Sequence, residues 1–249
     1  MPYSRAAFKF GTCIILLLIH TCASSQSLVV DTLIHIYTQK NPLSETLIDN
    51  DVRLKGFVSN SEVKYVSEQI KKAIEKYPST FLLSQLERIE IPKLITKKNK
   101  KISGYAYNKT LYIGAKHNYE LEKTFHQEFA LMLLYTGPLH LDSNRWRELR
   151  DPAILELFHK KSLGLFKKKI DPSFFFGNGY LEQDALRNVD SDFTSFASNL
   201  FSGGKQFWVL VDANPIIKQK ALLTISFYHQ LYPIFTEKWF RFLAEFRLF

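Results

Sequence analysis

The segment from Lys123 to Tyr135 holds the residues of this chain whose spacing comes nearest to a catalytic pattern. In the helical pattern H-E-x-x-H, two histidines one turn apart bind zinc, and the glutamate after the first of them is the general base of a hydrolysis. Gln127 and Leu131 stand at the two histidine positions, while Glu128 keeps the position of the base. Because glutamine is a poor zinc ligand and leucine is none, we expect no zinc here and only a relic base.

His126 precedes this motif by one residue, which turns it about a quarter of the helix circumference away from position 127. It could serve as a ligand in a displaced metal site, although a lone histidine on a helix more often has a structural role. The other histidines outside the first 25 residues show no paired ligand spacing: His35, His117, His140, His159 and His229. The sequence contains no Ser-His-Asp or Cys-His pattern and no phosphate-binding glycine loop.

The elements that must position Glu128 come directly before it. The stretch Leu86 to Thr96 has β character, and Ile102 to Ile113 is typical of a hairpin that turns at Asn108-Lys109. We expect two or three antiparallel strands that lead into the central helix, with Asn118 as its cap and Gly137-Pro138 as its end. Aromatic residues of the hairpin could form a cleft surface for a peptide or a glycan, although most aromatic side chains belong in a core. They are Tyr105, Tyr107 and Tyr112.

The flanking segments predict further elements. Ser59 and Glu62 form a capping box, which begins a helix that Pro78 ends. The apolar run Leu28 to Tyr37 could start a sheet or pack as an arm, and the polar stretch from Thr38 to Gly56 favours a linker.

The C-terminal half is predicted to be mainly helical. Asp190-Ser191-Asp192 should cap a helix that Gly203-Gly204 ends, because apolar residues follow at helical spacing. Pro215 to Leu231 and Thr236 to Phe246 should form a closing helical pair. Between these elements and the central helix, Asp142 to Pro152 is a loop or short helix, and Phe158 to Tyr180 is irregular.

The first 25 residues have the pattern of an export signal. Arg5 and Lys9 form its basic start, Cys13 to Ile19 its apolar run, and Ala23-Ser24-Ser25 its cleavage site. The apolar run is far shorter than the roughly 20 residues that span a membrane. A lipoprotein signal with Cys22 as the acylated residue is the alternative, although Thr21 is bulkier than the residues usual before such a cysteine. We therefore divide the chain into a signal (1–25), an N-terminal arm or linker (26–56) and a domain (57–249).

Charge and cysteines limit the classes of function. The formal net charge is +9, and two lysine clusters, 97–101 and 167–169, could meet anionic surfaces. No helix-turn-helix, zinc-finger or RNA-binding signature accompanies them, so we expect no nucleic-acid partner. Both cysteines lie within the first 25 residues, which excludes a disulfide in the domain.

From about Leu86 onwards, the order of several short motifs is similar to the zinc-binding metallopeptidases of Bacteroidetes, including the substrate import-associated zinc metallohydrolase lipoproteins. The resemblance implies a zincin-like α+β fold, in which a small, mainly antiparallel sheet precedes an active-site-type helix and a helical C-terminal half. It also implies peptide-bond hydrolysis and a third, acidic zinc ligand, which we match to Asp192. The motifs are Gly104-Tyr105-Ala106, Thr110-Leu111-Tyr112-Ile113, Phe125 to Phe129, Asp192-Phe193 and the segment 215–235.

Three hypotheses follow. The first is an exported, zincin-like domain that has lost zinc and catalysis. It would be an accessory or binding component in the periplasm or on the outer membrane, beside a nutrient importer. It would contact the membrane only through a lipid anchor. The second is an active hydrolase in which Glu128, His126 and Asp192 form a displaced zinc site. The third is a basic surface module that binds anionic glycans. Fold alone does not decide among them.

Overall fold

A computed structural model describes residues 27–30, 34–37, 46–49, 51–115, 120–136, 141–162 and 171–245. The described chain is an α+β structure in which two small sheets, with two helices inserted between their fourth and fifth strands, precede a further series of helices. The predicted signal segment with Cys22, the cap Asn118, the helix end Gly137-Pro138 and the cluster 167–169 lie outside the described residues. None of the described helices is long and apolar enough to cross a membrane.

The first sheet is mixed, with the strand order β1-β2-β5-β9-β8, and the second is antiparallel, with the order β3-β4-β6-β7. In the first sheet β2 pairs in parallel with β5, and β5 with β9. The expectation of mainly antiparallel pairing therefore holds for the second sheet and only partly for the first. The strands are β1 Ser27–Val30, β2 Ile34–Tyr37, β3 Thr46–Asp49, β4 Val52–Phe57, β5 Arg88–Glu90, β6 Pro92–Lys97, β7 Lys100–Ile102, β8 Gly104–Tyr107 and β9 Thr110–Ile113.

The predicted hairpin is confirmed as β8 and β9, which pair antiparallel around Asn108 and Lys109. These two residues have φ values of 44° and 55°, as a two-residue hairpin turn requires. The predicted linker is wrong at its end, because β3 and β4 form strands of the second sheet. Val52 and Leu54 are buried and alternate with polar residues, as in a strand with one buried face. The pattern is short and its neighbours in sequence are polar, so the sequence did not indicate a strand. The domain boundary we placed after residue 56 falls inside β4.

The described helices include α1 Asn60–Ile74, α2 Ser79–Gln85, α3 Leu121–Thr136, α4 Ser143–Glu148, α5 Pro152–Ser162, α6 Pro172–Gly177, α7 Val189–Ser202, α8 Gly204–Ala213, α9 Pro215–Leu231 and α10 Glu237–Glu245, with a 3₁₀ turn at Gln183–Leu186. The capping box of α1, the short helix α4 and the closing pair α9 and α10 are confirmed. The segment from 158 to 180 is less irregular than expected, because α5 extends to Ser162 and α6 follows an Asp171 cap.

Helix α3 lies at the centre of the described fold. It packs against β8 and β9 and also against α1 and α7. Phe125, Phe129 and Leu133 are fully buried in an aromatic-rich core that both the first sheet and the C-terminal helices share. Burial on more than one side leaves only a narrow strip of α3 accessible, and this strip carries the motif.

Candidate functional site

The strip of α3 that remains partly exposed contains Gln127, Glu128 and Leu131, whereas the residues between them are buried. Positions 127 and 131 are i and i+4, so they lie one turn apart on the same side of the helix, with Glu128 beside them. The helix therefore presents the three motif positions together, as the sequence pattern predicted.

Glu128 lies against Gly104 of β8. A β-carbon built on Gly104 would approach the Glu128 Cγ to 2.3 Å, so only glycine leaves room for this side chain. Burial raises the pKa of Glu128 to about 7, and Lys97 opposes the shift only in part. Among the described residues, none forms a hydrogen bond or an ion pair with the Glu128 carboxylate. The residue is thus a carboxyl group near half-protonation at neutral pH, held under an edge strand.

Glu128→Gln should make the stability of the protein less dependent on pH between 4.5 and about 7. The raised pKa of Glu128 means that the folded protein binds more protons than the unfolded chain between pH 4.5 and about 7. The wild type should lose stability as the pH rises through this range, and the substitution should recover up to about 3 kcal/mol at pH 8 but little at pH 4. Thermal unfolding at several pH values measures this, with Glu68→Gln on the exposed face of α1 as the control. Parallel profiles for both variants and the wild type would contradict it.

Strand β8 is an edge strand of the first sheet within the described part of the chain. The Gly114 N–H donates to the Ser103 carbonyl at 2.8 Å, so Ser103 and Gly114 are a hydrogen-bonded pair. Along the hairpin, hydrogen-bonded and non-hydrogen-bonded residue pairs then alternate. The hydrogen-bonded pairs are therefore those at Tyr105 and Tyr107, and the N–H and C=O groups of Gly104 and Ala106 point away from β9. Gly104 is buried and Ala106 is partly exposed, so the Ala106 groups are the ones on this edge that could pair with an added extended strand.

Glu182 is the acid that contacts the first motif position, and sequence analysis missed it. The Gln127 Nε2 donates to the Glu182 Oε1 at 3.1 Å, and the Lys123 Nζ donates to the Glu182 Oε2 at 2.7 Å. This bond to Glu182 raises the pKa of Lys123 although burial opposes it, so the lysine stays charged. An ammonium group already neutralises the carboxylate that could have served as a ligand.

His126 points into the core, away from the accessible strip. It is fully buried, its Nδ1 lies 2.9 Å from the Tyr77 hydroxyl, and its ring stacks on Phe201 at 5.1 Å between centroids. Burial lowers the pKa of His126 to about 4, although Glu122 opposes the shift. Because positions 126 and 128 are about 200° apart on a helix, the structure does not bring His126 to Glu128. The structural interpretation of this histidine fits its contacts.

Asp192 is neither the cap of α7 nor a partner of Glu128. The helix begins earlier, and the Asn188 Oδ1 caps it by accepting from the Ser191 N–H at 2.7 Å. Asp192 is fully buried, and its Oδ2 accepts from the Lys220 Nζ at 2.8 Å and from the Trp146 Nε1 at 2.9 Å. Its charge is therefore committed to a buried ion pair, a role that the local sequence around it does not reveal.

The three tyrosines do not lie beside Glu128. Gly104 and Ala106 face α3, so Tyr105 and Tyr107 face the other side of the sheet, and Tyr112 pairs with Tyr105. Tyr105 and Tyr112 pack against a small apolar cluster of the second sheet, and the Lys97 ammonium lies 5.2 Å from the Tyr105 ring centroid. Tyr107 is 45% exposed. The predicted tyrosine surface of the cleft is therefore wrong in its position.

The residues at the motif do not fit a bound zinc ion. Gln127 uses its amide on Glu182, Leu131 has no donor atom, and the Lys123 ammonium contacts the remaining acid. Within the described ranges, no three side chains of His, Cys, Asp or Glu are grouped so that they could hold a metal ion. The grouping of Glu128, His126 and Asp192 that the displaced site requires is absent there.

No family model and no curated protein matches this chain. A search of solved structures finds similarity to a protein from Bacteroides caccae that carries the provisional description zinc-binding metallo-peptidase. The two are 11% identical, the match covers 74% of this chain and 77% of that chain, and the TM-score is 0.44. A match at that level carries no argument about activity, so the proposal below depends on the residues at the motif.

Proposed function

We propose that this chain is an exported, metallopeptidase-like protein that has lost zinc and binds an extended peptide along β8 without hydrolysing it. The observation that carries the proposal is the accessible strip of α3, where Gln127 and Leu131 replace the two histidines and Glu128 remains under the edge strand. A peptide could pair with the outward N–H and C=O groups of Ala106, which is partly exposed, in the manner of strand addition. Glu128, without a partner among the described residues, could hydrogen-bond to the same peptide.

The cellular part of the proposal is an accessory role at the bacterial envelope, beside an outer-membrane nutrient importer. It depends on the signal pattern of residues 1–25 and on the sequence resemblance. Mass spectrometry of the protein from its native cells tests export. A mature chain that begins at Gln26, or one acylated at Cys22, supports export and distinguishes the free form from the anchored one. A chain that keeps residues 1–25 contradicts it.

A mixture of random decapeptides tests binding and catalysis together. We expect immobilised protein to retain a subset of the peptides, and the same peptides with N-methylated backbone amides to be lost, because methylation removes the donors that pair with β8. We expect no cleavage products beyond those seen with Glu128→Gln. Cleavage by the wild type that disappears in Glu128→Gln would establish the active hydrolase instead. Absence of retention, or equal retention of the methylated peptides, would reject strand addition.

A further inference from the structure

A buried group of charges lies away from the motif strip, around Asp192. The Lys220 Nζ contacts the Asp192 Oδ2 at 2.8 Å, and the Arg150 Nε lies 3.6 Å from the same oxygen. The side chains of Asp192 and Lys220 are fully buried, and that of Arg150 is only 9% exposed. Two cations therefore share one carboxylate. The group of Lys220, Arg150 and Asp192 thus has an excess of one positive charge. Asp151, the next residue after Arg150, is exposed and caps α5 by accepting from the Ala153 N–H.

Three polar atoms of this group lack hydrogen-bond partners among the described residues: the Arg150 Nε, the Asp192 Oδ1 and the Tyr180 hydroxyl. Buried polar atoms are nearly always paired, because leaving one unpaired costs about 1–3 kcal/mol. The Arg150 Nη2 is already used, since it donates to the Ala185 and Leu186 carbonyls at 3.2 and 3.0 Å. Arg150 is thus held rigidly with its charge only partly satisfied.

A cavity of about 640 Å³ adjoins Arg150. This volume is within the range of sites for small ligands. Its apolar wall consists of Leu155, Phe158 and Leu186, and Arg187 supplies a second guanidinium. Arg187 also contacts Asp184 at 3.1 Å, which is the acid among the lining residues. Gln183 and His159 complete the lining.

We propose that this cavity binds a small amphipathic carboxylate, whose carboxylate group pairs with Arg150 and Arg187 and whose apolar chain packs against Leu155 and Phe158. A guanidinium in a fixed position is suited to a planar carboxylate, and the anion would balance the excess charge of the buried group. None of the residues that line the cavity belongs to the motif, so this proposal can fail without affecting the proposed function.

Octanoate is the probe, with 1-octanol and octylamine as chain-matched compounds that lack the negative charge. Calorimetric titration of the full chain should show saturable binding of octanoate, at least about tenfold tighter than binding of octanol or octylamine. Arg187→Gln should weaken octanoate binding about tenfold, because Arg187 lies at the cavity and is 63% exposed, so the fold should tolerate the change. Arg145→Gln, on the exposed side of α4, is the matched control and should bind as the wild type does.

Leu155→Trp should fill the cavity and abolish octanoate binding while the unfolding temperature stays near that of the wild type. Absence of octanoate binding to the wild type would overturn the proposal. So would equal binding of octanol, or full binding by Leu155→Trp. Equal losses in Arg187→Gln and Arg145→Gln would also overturn it, because they would indicate only a general attraction to positive charge.

Discussion

Replacing Asp192 with alanine should lower the free energy of unfolding by about 3–5 kcal/mol, the largest single-residue effect that we expect. The substitution leaves the Lys220 ammonium buried without its counter-charge and removes the acceptor of the Trp146 Nε1. Burial raises the pKa of Asp192 and lowers that of Lys220, so each charge depends on the other to remain in the core. Chemical denaturation at neutral pH measures the loss.

Asp212→Ala is the matched control for this effect. It breaks an exposed pair with Arg241, whose two hydrogen bonds measure 3.0 and 2.6 Å, and it should cost no more than about 1 kcal/mol. The double variant Asp192→Ala with Lys220→Met should recover part of the loss, because it removes both charges together. A cost for Asp192→Ala as small as that for Asp212→Ala would show that the pair is not a structural requirement.

The double substitution Gln127→His with Leu131→His should create a zinc site at these two positions, where we expect the wild type to hold no zinc. The two histidines would lie one turn apart, and Glu182 would supply the third ligand, because its carboxylate already contacts position 127. The family resemblance favoured Asp192 for this role, but the Asp192 carboxylate is paired with the Lys220 ammonium. Calorimetric titration with zinc at neutral pH should show one site per chain.

Variants of the restored site test which acid serves as the ligand. Loss of a residue that hydrogen-bonds to a metal ligand weakens metal binding roughly 10–100-fold. Glu182→Ala removes a ligand itself, so it should weaken zinc binding by more than that. Lys123→Ala should strengthen it, since the lysine competes for the same carboxylate. Glu68→Ala, at an exposed acid on α1, is the control and should have little effect. If the double variant binds no zinc, position 127 does not belong to a zincin-like cleft.

Where a signal is local, the sequence predicted the element closely. The capping box of Ser59 and the closing helix from Pro215 to Leu231 agree with their patterns, because caps and helical periodicity depend on neighbouring residues. The turn at Asn108-Lys109 agrees for the same reason. The side of β8 on which the tyrosines lie could also have been inferred. Gly104 and Ala106 alternate with the tyrosines, and a helix that packs closely on a strand requires small residues on the facing side.

The partners of charged side chains could not be predicted in this way. Glu182 is 55 residues from Gln127 in sequence, and no local pattern connects them. Lys220 gives one usable signal: Ile217 and Thr224 flank it at i−3 and i+4, so it lies on the buried face of α9. A lysine on a buried face requires a counter-charge, but the sequence does not tell which of the 24 acidic residues supplies it.

The most direct test of the account is the metal content of the wild-type chain, purified without chelator and measured by inductively coupled plasma mass spectrometry. The replacement of both histidines and the contact of Lys123 with Glu182 predict far less than one zinc per chain. The restored double variant, prepared in parallel, should contain close to one. Stoichiometric zinc in the wild type that persists through dialysis would contradict the loss of the metal site and would favour an active hydrolase.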